Sequence, residues 1–253
     1  MNVKHHFPII RKTCHTMANL SKIAYLDEKE AKPLFKARGY PKHRFIENEG
    51  SQAHVAWNDY HIVVAFRGTE PSEAADIKAD LNIWPDRAES GGWVHDGFQT
   101  ALEKIWRKIV VIVDAHDDKQ LQLCGHSLGG AMATVAASRL KERNPRLYTF
   151  GSPRVGNTAF VNSFPNVVHY RFVNNNDLVT AVPMWLLGYR HHGICMYIDY
   201  SGVVGNFTPW QKFVDKIKGR WRALMKGQAF DGLYDHSCDY YCLYTSENQD
   251  GHH

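Results

Sequence analysis

Residues 120–137 read QLQLCGHSLGGAMATVAA, and they decide the fold. The run from Gln120 to Cys124 predicts a short strand, and Ala131 to Ala137 is rich in good helix formers. Between them, Gly125-x-Ser127-x-Gly129 has a serine flanked by glycines at a strand-to-helix junction, which is the pattern of a nucleophile elbow. The small residues that follow would let the helix pack closely on a sheet. The stretch therefore predicts a sharp strand–turn–helix unit with Ser127 at its tip.

The spacing of the two glycines follows from the geometry of such a turn. Its serine has a strained backbone, and side chains at Gly125 and Gly129 would clash. The serine oxygen then projects above the sheet, where the helix N-terminus offers unpaired N–H groups and a positive dipole end to a developing oxyanion. A plain glycine-rich turn is the alternative, but the flanking strand and helix favour a nucleophile. His126 should point away from Ser127, so we expect it to pack or hydrogen-bond rather than act as the base.

Strands and helices alternate on both sides of this unit. Residues 62–66 form a continuous apolar run, which is typical of a strand buried on both faces. The alternation predicts a mostly parallel central sheet with helices on both faces, the α/β-hydrolase fold, as a single domain over residues 1–253. The other predicted elements are helices at Thr13–Tyr25 and Phe98–Asp114 and strands at Ala53–Trp57, His61–Phe66, Arg146–Phe150 and Val167–Val173.

The composition is that of an ordinary globular protein. Hydrophobic residues make up 44% of the chain and charged residues 22%, which excludes a disordered chain. The net charge of +4 is only mildly basic, so we expect no nucleic-acid partner. No cofactor motif or cluster of metal ligands stands out in the sequence, and we expect neither a cofactor nor a metal. The oligomeric state is left open.

The five cysteines are too few and too scattered for a disulfide framework. Cys238 and Cys242 are one turn apart in a predicted helix, which is poor geometry for a disulfide. Residues 1–12 lack the apolar stretch of a signal peptide, and no run of about 18 apolar residues predicts a membrane span. We therefore expect a cytoplasmic protein by default, with secretion by another route or removal of a leader left open.

A serine nucleophile of this fold is followed along the chain by an acid and then by a histidine. Asp177 is the predicted acid, because it lies in the turn Asn174-Asn175-Asn176-Asp177 directly after the strand at 167–173. Its alternative role is to cap that turn. Asp199 and Asp215 are rival acids, but neither follows an apolar strand as plainly.

His236 is the predicted base. It precedes an aromatic helix that contains Tyr240 and Tyr244, and a loop histidine supported by an ordered helix suits a general base. The rival histidines are His191 and His192, which begin a strand-like run, and His252 and His253, which lie at the chain end.

These residues predict acyl transfer through a covalent intermediate. His236 would take the proton of Ser127 as the serine attacks an ester carbonyl, and Asp177 would hold the imidazole in the required tautomer. The oxyanion would be bound by the backbone N–H of Leu128 and by a second donor from an earlier strand end, for which we choose Thr69.

Several short motifs occur in order along the chain. They are Ala65-Phe66-Arg67-Gly68-Thr69, Asp80-Leu81, His95-Asp96-Gly97-Phe98, Gly125-His126-Ser127-Leu128-Gly129-Gly130-Ala131, Phe150-Gly151-Ser152-Pro153-Arg154-Val155-Gly156, Asn176-Asp177-Leu178-Val179 and Asp235-His236 with Tyr240. In these motifs the chain resembles the class 3 lipases over about residues 13–245. The resemblance implies lipase or carboxylesterase activity on acylglycerols, with Ser127, Asp177 and His236 as triad and an oxyanion donor at Thr69. Phospholipase A1 and short-chain esterase activity are the alternatives, as is a non-catalytic lipid-binding module of the same fold.

The chain departs from that family in a lid-like segment at about 70–80. Where the family often has a lid helix with a bulky apolar face, residues 70–79 read EPSEAADIKA and are largely polar. We therefore do not expect strong interfacial activation. The disulfides of secreted fungal members also have no counterpart here.

Two further stretches are candidates for contact with lipid. Met184 to Tyr189 is apolar, so Trp185, Leu186 and Leu187 are candidate substrate-binding residues, with ordinary core as the alternative. A basic amphipathic helix is predicted at about 208–226. It suits peripheral contact with an anionic lipid interface, and its alternative is a surface helix packed on its own domain.

Overall fold

The protein was analysed as a computed structural model, which describes residues 3–69, 84–225 and 235–246. Within them, eight strands form one sheet in the order β1-β2-β3-β6-β7-β8-β9-β10, and β4 pairs with β5 in a separate ribbon. The strands are β1 (Lys42–Asn48), β2 (Ser51–Trp57), β3 (His61–Phe66), β4 (Pro85–Arg87), β5 (Trp93–His95), β6 (Gln120–His126), β7 (Arg146–Phe150), β8 (Val168–Asn174), β9 (Ile194–Ile198) and β10 (Val204–Gly205).

The sheet is parallel from β3 through β6, β7 and β8 to β9, and its margins are antiparallel. This mostly parallel sheet, with helices on both faces, is the predicted α/β-hydrolase fold. The helices are α1 (Val3–Ile23), α2 (Glu28–Ala37), α3 (Asp96–Asp114), α4 (Leu128–Arg139), α5 (Thr158–Val161), α6 (Pro209–Met225) and α7 (Cys238–Thr245).

Two apolar cores lie on opposite faces of the sheet. On one face, α3 and the alanine-rich α4 pack on the strands, and α3 buries Leu102, Ile105 and Ile109 there. On the other face, α1 contributes Met17 and Leu20, α2 contributes Phe35 and α7 contributes Tyr241. Small residues in α4 let that helix lie close to the sheet, so the turn that precedes it is held rigidly.

The register brings four loops together at one edge of the sheet. Phe66 at the end of β3 pairs with Gly125 of β6, and His126 pairs with Phe150 at the end of β7. Ligands of open parallel sheets bind at the carboxyl ends of the strands. The loops after β3, β6, β7 and β8, which contain Thr69, Ser127, Gly151 and Asp177, therefore meet at that edge.

The predicted elements are present, with shifted ends. The first helix begins earlier than expected, at Val3, and α2 and β1 were not predicted. Helix α2 is short and highly charged, contains Pro33, and buries only Ala31 and Phe35, so its periodicity is weak. The lid-like segment predicted at 70–80 lies outside the described residues.

The structure decides between the alternatives for two apolar stretches. Trp185, Leu186 and Leu187 are not core residues, because 59%, 71% and 46% of their surfaces are exposed. In the described part of the apolar stripe of α6, Phe213 and Ile217 are exposed and Val214 is partly buried, so most of it does not pack on its own domain. Within the ranges given above, the helices include none that is both long and apolar enough to cross a membrane.

Candidate active site

Ser127 lies at the turn between β6 and α4 with φ of 57° and ψ of −128°. This left-handed φ is rare for a residue with a side chain and indicates local strain. A Cβ at Gly125 would overlap the backbone of Gly129, and a Cβ at Gly129 would overlap the carbonyl of Phe66. Both glycines are therefore required by close backbone approach, as the spacing predicted.

The structure brings Ser127, His236 and Asp177 together. Nε2 of His236 is 2.9 Å from Oγ of Ser127, and its Nδ1 is 3.0 Å from each carboxylate oxygen of Asp177. All three residues are buried. Because an ionised carboxylate only accepts hydrogen bonds, Nδ1 of a neutral His236 carries the proton and Nε2 is free to accept from the serine hydroxyl.

Asp177 is held by two further donors. The hydroxyl of Tyr241 donates to Oδ2 over 2.6 Å, and the backbone N–H of Val179 donates to Oδ1 over 2.9 Å. Burial, together with the neighbouring Asp177 carboxylate, keeps the pKa of Tyr241 well above its usual range, so the phenol keeps its proton. The aromatic residues expected to matter in α7 were Tyr240 and Tyr244, which instead stack on each other. Only helix packing reveals that Tyr241 contacts the acid.

His126 holds the backbone of the His236 loop. Its Nε2 is 2.6 Å from the carbonyl oxygen of His236, and its Nδ1 is 2.8 Å from the hydroxyl of Tyr25. A carbonyl only accepts, so Nε2 donates and Nδ1 accepts from the tyrosine. Complete burial lowers the pKa of His126 well below its usual value, which keeps the ring neutral. The expected hydrogen-bonding role of His126 is confirmed.

The loops of the acid and the histidine are also tied to each other. The side chain of Asn174 donates to the carbonyl of Asp235 over 3.0 Å, and Oδ2 of Asp235 accepts the N–H of Asn176 over 3.0 Å. Beneath them, Gly151 has a φ of 60°, and a Cβ there would lie 2.8 Å from Oδ2 of Asp177. A side chain at Gly151 would therefore push apart the contact between Asp177 and His236.

The predicted oxyanion donors lie beside the serine. Leu128 is the first residue of α4, so its N–H has no acceptor within the helix. A Cβ on Gly68 would lie 3.3 Å from Cβ of Ser127, which places the backbone just before Thr69 against the nucleophile. The hydroxyl oxygen of Thr69 is buried and has no hydrogen-bond partner among the described residues.

The rival acids and histidines that the structure describes lie elsewhere. Nε2 of His191 is 2.9 Å from the carbonyl of Thr180, and Nδ1 of His192 is 3.1 Å from Nδ1 of His169. Asp199 accepts from the turn at Ser201 and Val203, and Asp215 accepts from Tyr197 and Tyr200. His252 and His253 lie outside the described residues.

Arg154 supports the segment that follows Asp177, and the sequence did not single it out for this role. Its guanidinium donates to the carbonyls of Ala181 and Pro183, and its backbone N–H donates to the carbonyl of Val182 over 2.8 Å. An arginine inside a Gly-Ser-Pro-Arg turn was the available signal, but its acceptors are backbone atoms that no sequence pattern identifies.

Comparison with known proteins gives results in line with this geometry. The family model "Lipase (class 3)" matches residues 63–187. A secreted mono- and diacylglycerol lipase 1 of Fusarium solani is 42% identical over 127 residues, which are 47% of this chain and 38% of that protein. Toxin TseL of Vibrio cholerae is 30% identical over 185 residues, which are 55% of this chain and 29% of the toxin. The chain thus spans less than half the length of these two relatives.

A solved triacylglycerol lipase has a similar structure. A serine protease triad forms the catalytic centre of that lipase. It is 25% identical, the match covers 80% of this chain and 88% of that one, and the TM-score is 0.66. The matched segment at 63–187 includes Thr69, Ser127 and Asp177, and the structural match extends the likeness to most of the fold. The chain is thus similar to the class 3 lipases over residues 63–187 and to a solved triacylglycerol lipase over 80% of its length.

Proposed function

We propose that this protein is a serine carboxylic ester hydrolase that acts on acylglycerols, with Ser127, His236 and Asp177 as its catalytic residues. One observation carries the proposal: a buried serine at a strained turn whose oxygen is 2.9 Å from a histidine that contacts a buried carboxylate. A serine, a base and an orienting acid in hydrogen-bond contact are the arrangement of nucleophilic acyl transfer.

In the proposed reaction, Nε2 of His236 accepts the proton of Ser127 while Oγ attacks the ester carbonyl carbon. Asp177 stabilises the imidazolium that forms. As the tetrahedral intermediate collapses, the bond to the alcohol oxygen breaks, and His236 gives its proton to the leaving alcohol. Water then attacks the acyl-enzyme with the same base, which releases the acid and returns the free serine.

The negative charge of the tetrahedral intermediate would fall on the carbonyl oxygen. In the proposal, hydrogen bonds from the backbone N–H of Leu128 and from Thr69 stabilise this negatively charged oxygen. The hydroxyl of Thr69, which has no partner among the described residues, supports this role, because a buried donor without a partner costs free energy that a developing oxyanion can offset.

The acylglycerol part of the proposal rests on the relatives and on the apolar surface. The Fusarium relative is named a mono- and diacylglycerol lipase. In this chain, Trp185, Leu186 and Leu187 follow Asp177 closely and are exposed, so we propose them as residues that contact the acyl chain. The cost of leaving large apolar side chains in water favours such a role.

The test is hydrolysis of p-nitrophenyl esters with acyl chains of two to sixteen carbons, followed by mono-, di- and triacylglycerols. We expect Ser127→Ala to lower turnover on the order of 10⁶-fold. Ser138→Ala, a buried serine in α4 whose hydroxyl bonds only within its helix, is the control and should retain activity. Equal activity of the Ser127→Ala and wild-type proteins would refute the mechanism.

The same assays separate the remaining functions. Preference for acyl chains of a few carbons would indicate a short-chain esterase, and release of the first acyl chain of phospholipids would indicate phospholipase A1 activity. No hydrolysis of any ester, together with lipid binding, would indicate the non-catalytic module.

We further propose that the protein acts in a reducing compartment, the cytoplasm. The support is that its five cysteines are all free. Its relatives include proteins named as secreted lipases, so secretion is the alternative. Detection of the protein in the culture medium of intact cells would contradict the cytoplasmic location.

A further inference from the structure

Polar side chains attach the described part of α6 to the domain. The carboxylate of Asp215 accepts a hydrogen bond from the hydroxyl of Tyr197 over 2.9 Å and from the N–H of Tyr200 over 3.2 Å. Nζ of Lys212 lies 5.3 Å from the centre of the Tyr197 ring and 3.4 Å from Sγ of Cys195. This part of the helix is thus attached to β9 through a buried acid and a lysine.

The outward side of α6 is apolar. Trp210, Phe213 and Ile217 follow the three- and four-residue spacing of one helical face, and 70%, 55% and 42% of their surfaces are exposed. The rings of Trp210 and Phe213 stack with centroids 5.7 Å apart. The described residues of the helix therefore present aromatic and aliphatic side chains to solvent.

The charged residues in the sequence of this helix are almost all basic. The single acidic residue of residues 209–226 is Asp215, which is buried, and burial raises the pKa of its carboxyl group. Lys218 is exposed beside the apolar residues. The basic residues of this stretch of sequence are Lys212, Lys216, Lys218, Arg220, Arg222 and Lys226.

We propose that the outward face of α6, formed by Trp210, Phe213, Ile217 and Lys218, docks on an anionic lipid surface. Tryptophan and phenylalanine favour the boundary between head groups and acyl chains, and cationic side chains are attracted to anionic head groups. An excess of basic residues next to an exposed aromatic pair fits this partner better than a second copy of the chain, since two like-charged helices would repel.

This docking face is distinct from the candidate active site. It contains none of the proposed catalytic residues, and the two proposals can fail separately. Vesicle binding can be measured on the Ser127→Ala protein, which should not hydrolyse the lipid. Hydrolysis of a water-soluble short-chain ester by the wild-type protein tests the chemistry without any lipid surface.

The experiment is co-sedimentation of the Ser127→Ala protein with vesicles of phosphatidylcholine, with and without phosphatidylglycerol. We expect binding to the anionic vesicles that weakens as salt is raised, and much weaker binding to phosphatidylcholine alone. Adding Trp210→Ser, Phe213→Ser and Ile217→Ser should lower the affinity about tenfold or more. The matched control has Leu34→Ser, Tyr60→Ser and Val111→Ser, which remove three exposed apolar side chains elsewhere, and should bind like its parent.

Lys218→Glu gives an independent measure, because it leaves the apolar face intact. It should lower the affinity for anionic vesicles about fivefold or more and leave binding to phosphatidylcholine unchanged. Circular dichroism and short-ester hydrolysis of the variants in the wild-type background should match the wild-type protein.

Three results would overturn the proposal. They are absence of binding to anionic vesicles, equal loss of binding in the α6 variant and in the Leu34, Tyr60 and Val111 control, and a concentration-dependent dimer that the α6 substitutions abolish. The last result would assign the face to a second copy of the chain.

Discussion

Polar side chains are usually exposed and apolar ones buried, and two regions of this molecule depart from that rule in opposite ways. They are the cluster around Ser127 and the outward face of α6. In the first region, Asp177, His236 and His126 are polar and buried, and each has hydrogen-bond partners within the molecule. In the second, large apolar side chains lie in water. Helix α3 behaves in the ordinary way, because Leu102, Ile105 and Ile109 of its apolar stripe are fully buried.

This difference teaches how each region relates to the stability of the fold. Buried polar groups are retained only if their hydrogen bonds are satisfied, so the Ser127 cluster is tied to the fold through many partners. Among the described residues, Trp210, Phe213 and Ile217 on the outward face of α6 are largely uncovered, so the fold gains little from them. Changes in the cluster should therefore affect chemistry strongly, and changes on the face should leave both chemistry and stability almost unaltered.

The largest effect after that of Ser127→Ala is expected from Asp177→Asn. An amide at this position can donate to the ring and favours the wrong tautomer of His236, so kcat should fall about 10⁴-fold with little change in the fold. Steady-state kinetics with a short-chain ester measures the loss. A variant within tenfold of the wild-type kcat would mean that Asp177 only caps its turn.

The contrast between the buried stripe of α3 and the exposed face of α6 predicts the next largest effect, which is on stability. Ile105→Ala in α3 should lower the free energy of unfolding by about 2–5 kcal/mol, because it leaves a cavity in the core. Denaturation in urea, followed by circular dichroism, measures the difference from the wild-type protein.

Thr69→Ala measures how much the hydroxyl of Thr69 contributes to the oxyanion site. It removes the unpaired hydroxyl but keeps the backbone N–H, so kcat should fall by about 10²-fold or less while KM changes little. A fall as large as that of Ser127→Ala would indicate that the substitution disturbs the turn itself.

Tyr241→Phe removes one hydrogen bond from Asp177. With one donor fewer, the carboxylate is held less firmly against Nδ1 of His236, so the ring is positioned less well for proton transfer from Ser127. Steady-state kinetics with a short-chain ester measures the effect. We expect a decrease of about tenfold in kcat/KM at neutral pH.

Tyr240→Phe is the matched control for that substitution, because Tyr240 lies in the same helix and stacks on Tyr244. It should leave kcat/KM unchanged. A loss of equal size in both variants would assign the effect to the packing of α7 and would exclude positioning of Asp177 by Tyr241.

The smallest effect is expected from Trp210→Ser on the outward face of α6. The side chain is exposed, so the free energy of unfolding should change by less than about 0.5 kcal/mol, and hydrolysis of a soluble ester should stay the same. A loss of stability close to that of Ile105→Ala would show that the face is covered in solution, and the contrast between α3 and α6 would no longer hold.

Much of the fold followed from local patterns. The strand, elbow and helix at 120–137 were recognisable because backbone strain and glycine spacing act within a few residues. The long helices and buried strands have clear apolar periods and were predicted, whereas α2 and β1 are short and charged and were missed. The choice of Asp177 relied on its position after a strand and on the resemblance to a family.

The remaining features depend on contacts between distant parts of the chain. Ser127 and His236 are separated by 109 positions, and no local pattern shows that Tyr241 contacts Asp177 or that Arg154 binds the loop after it. The helical period of α6 identified an apolar stripe but could not show whether the stripe faces the sheet or the solvent. Its orientation depends on which residues at the edge of the sheet the helix contacts. At β9 these are Tyr197, which binds Asp215, and Cys195, which binds Lys212.

The sequence by itself therefore determined the fold class, the nucleophile unit and the helical stripe of α6, because each depends on backbone geometry over a few residues. Only the tertiary structure decided which of the described histidines reaches Ser127 and which way the stripe faces. Both outcomes result from how the whole chain satisfies its buried polar groups and covers its apolar surface at the same time.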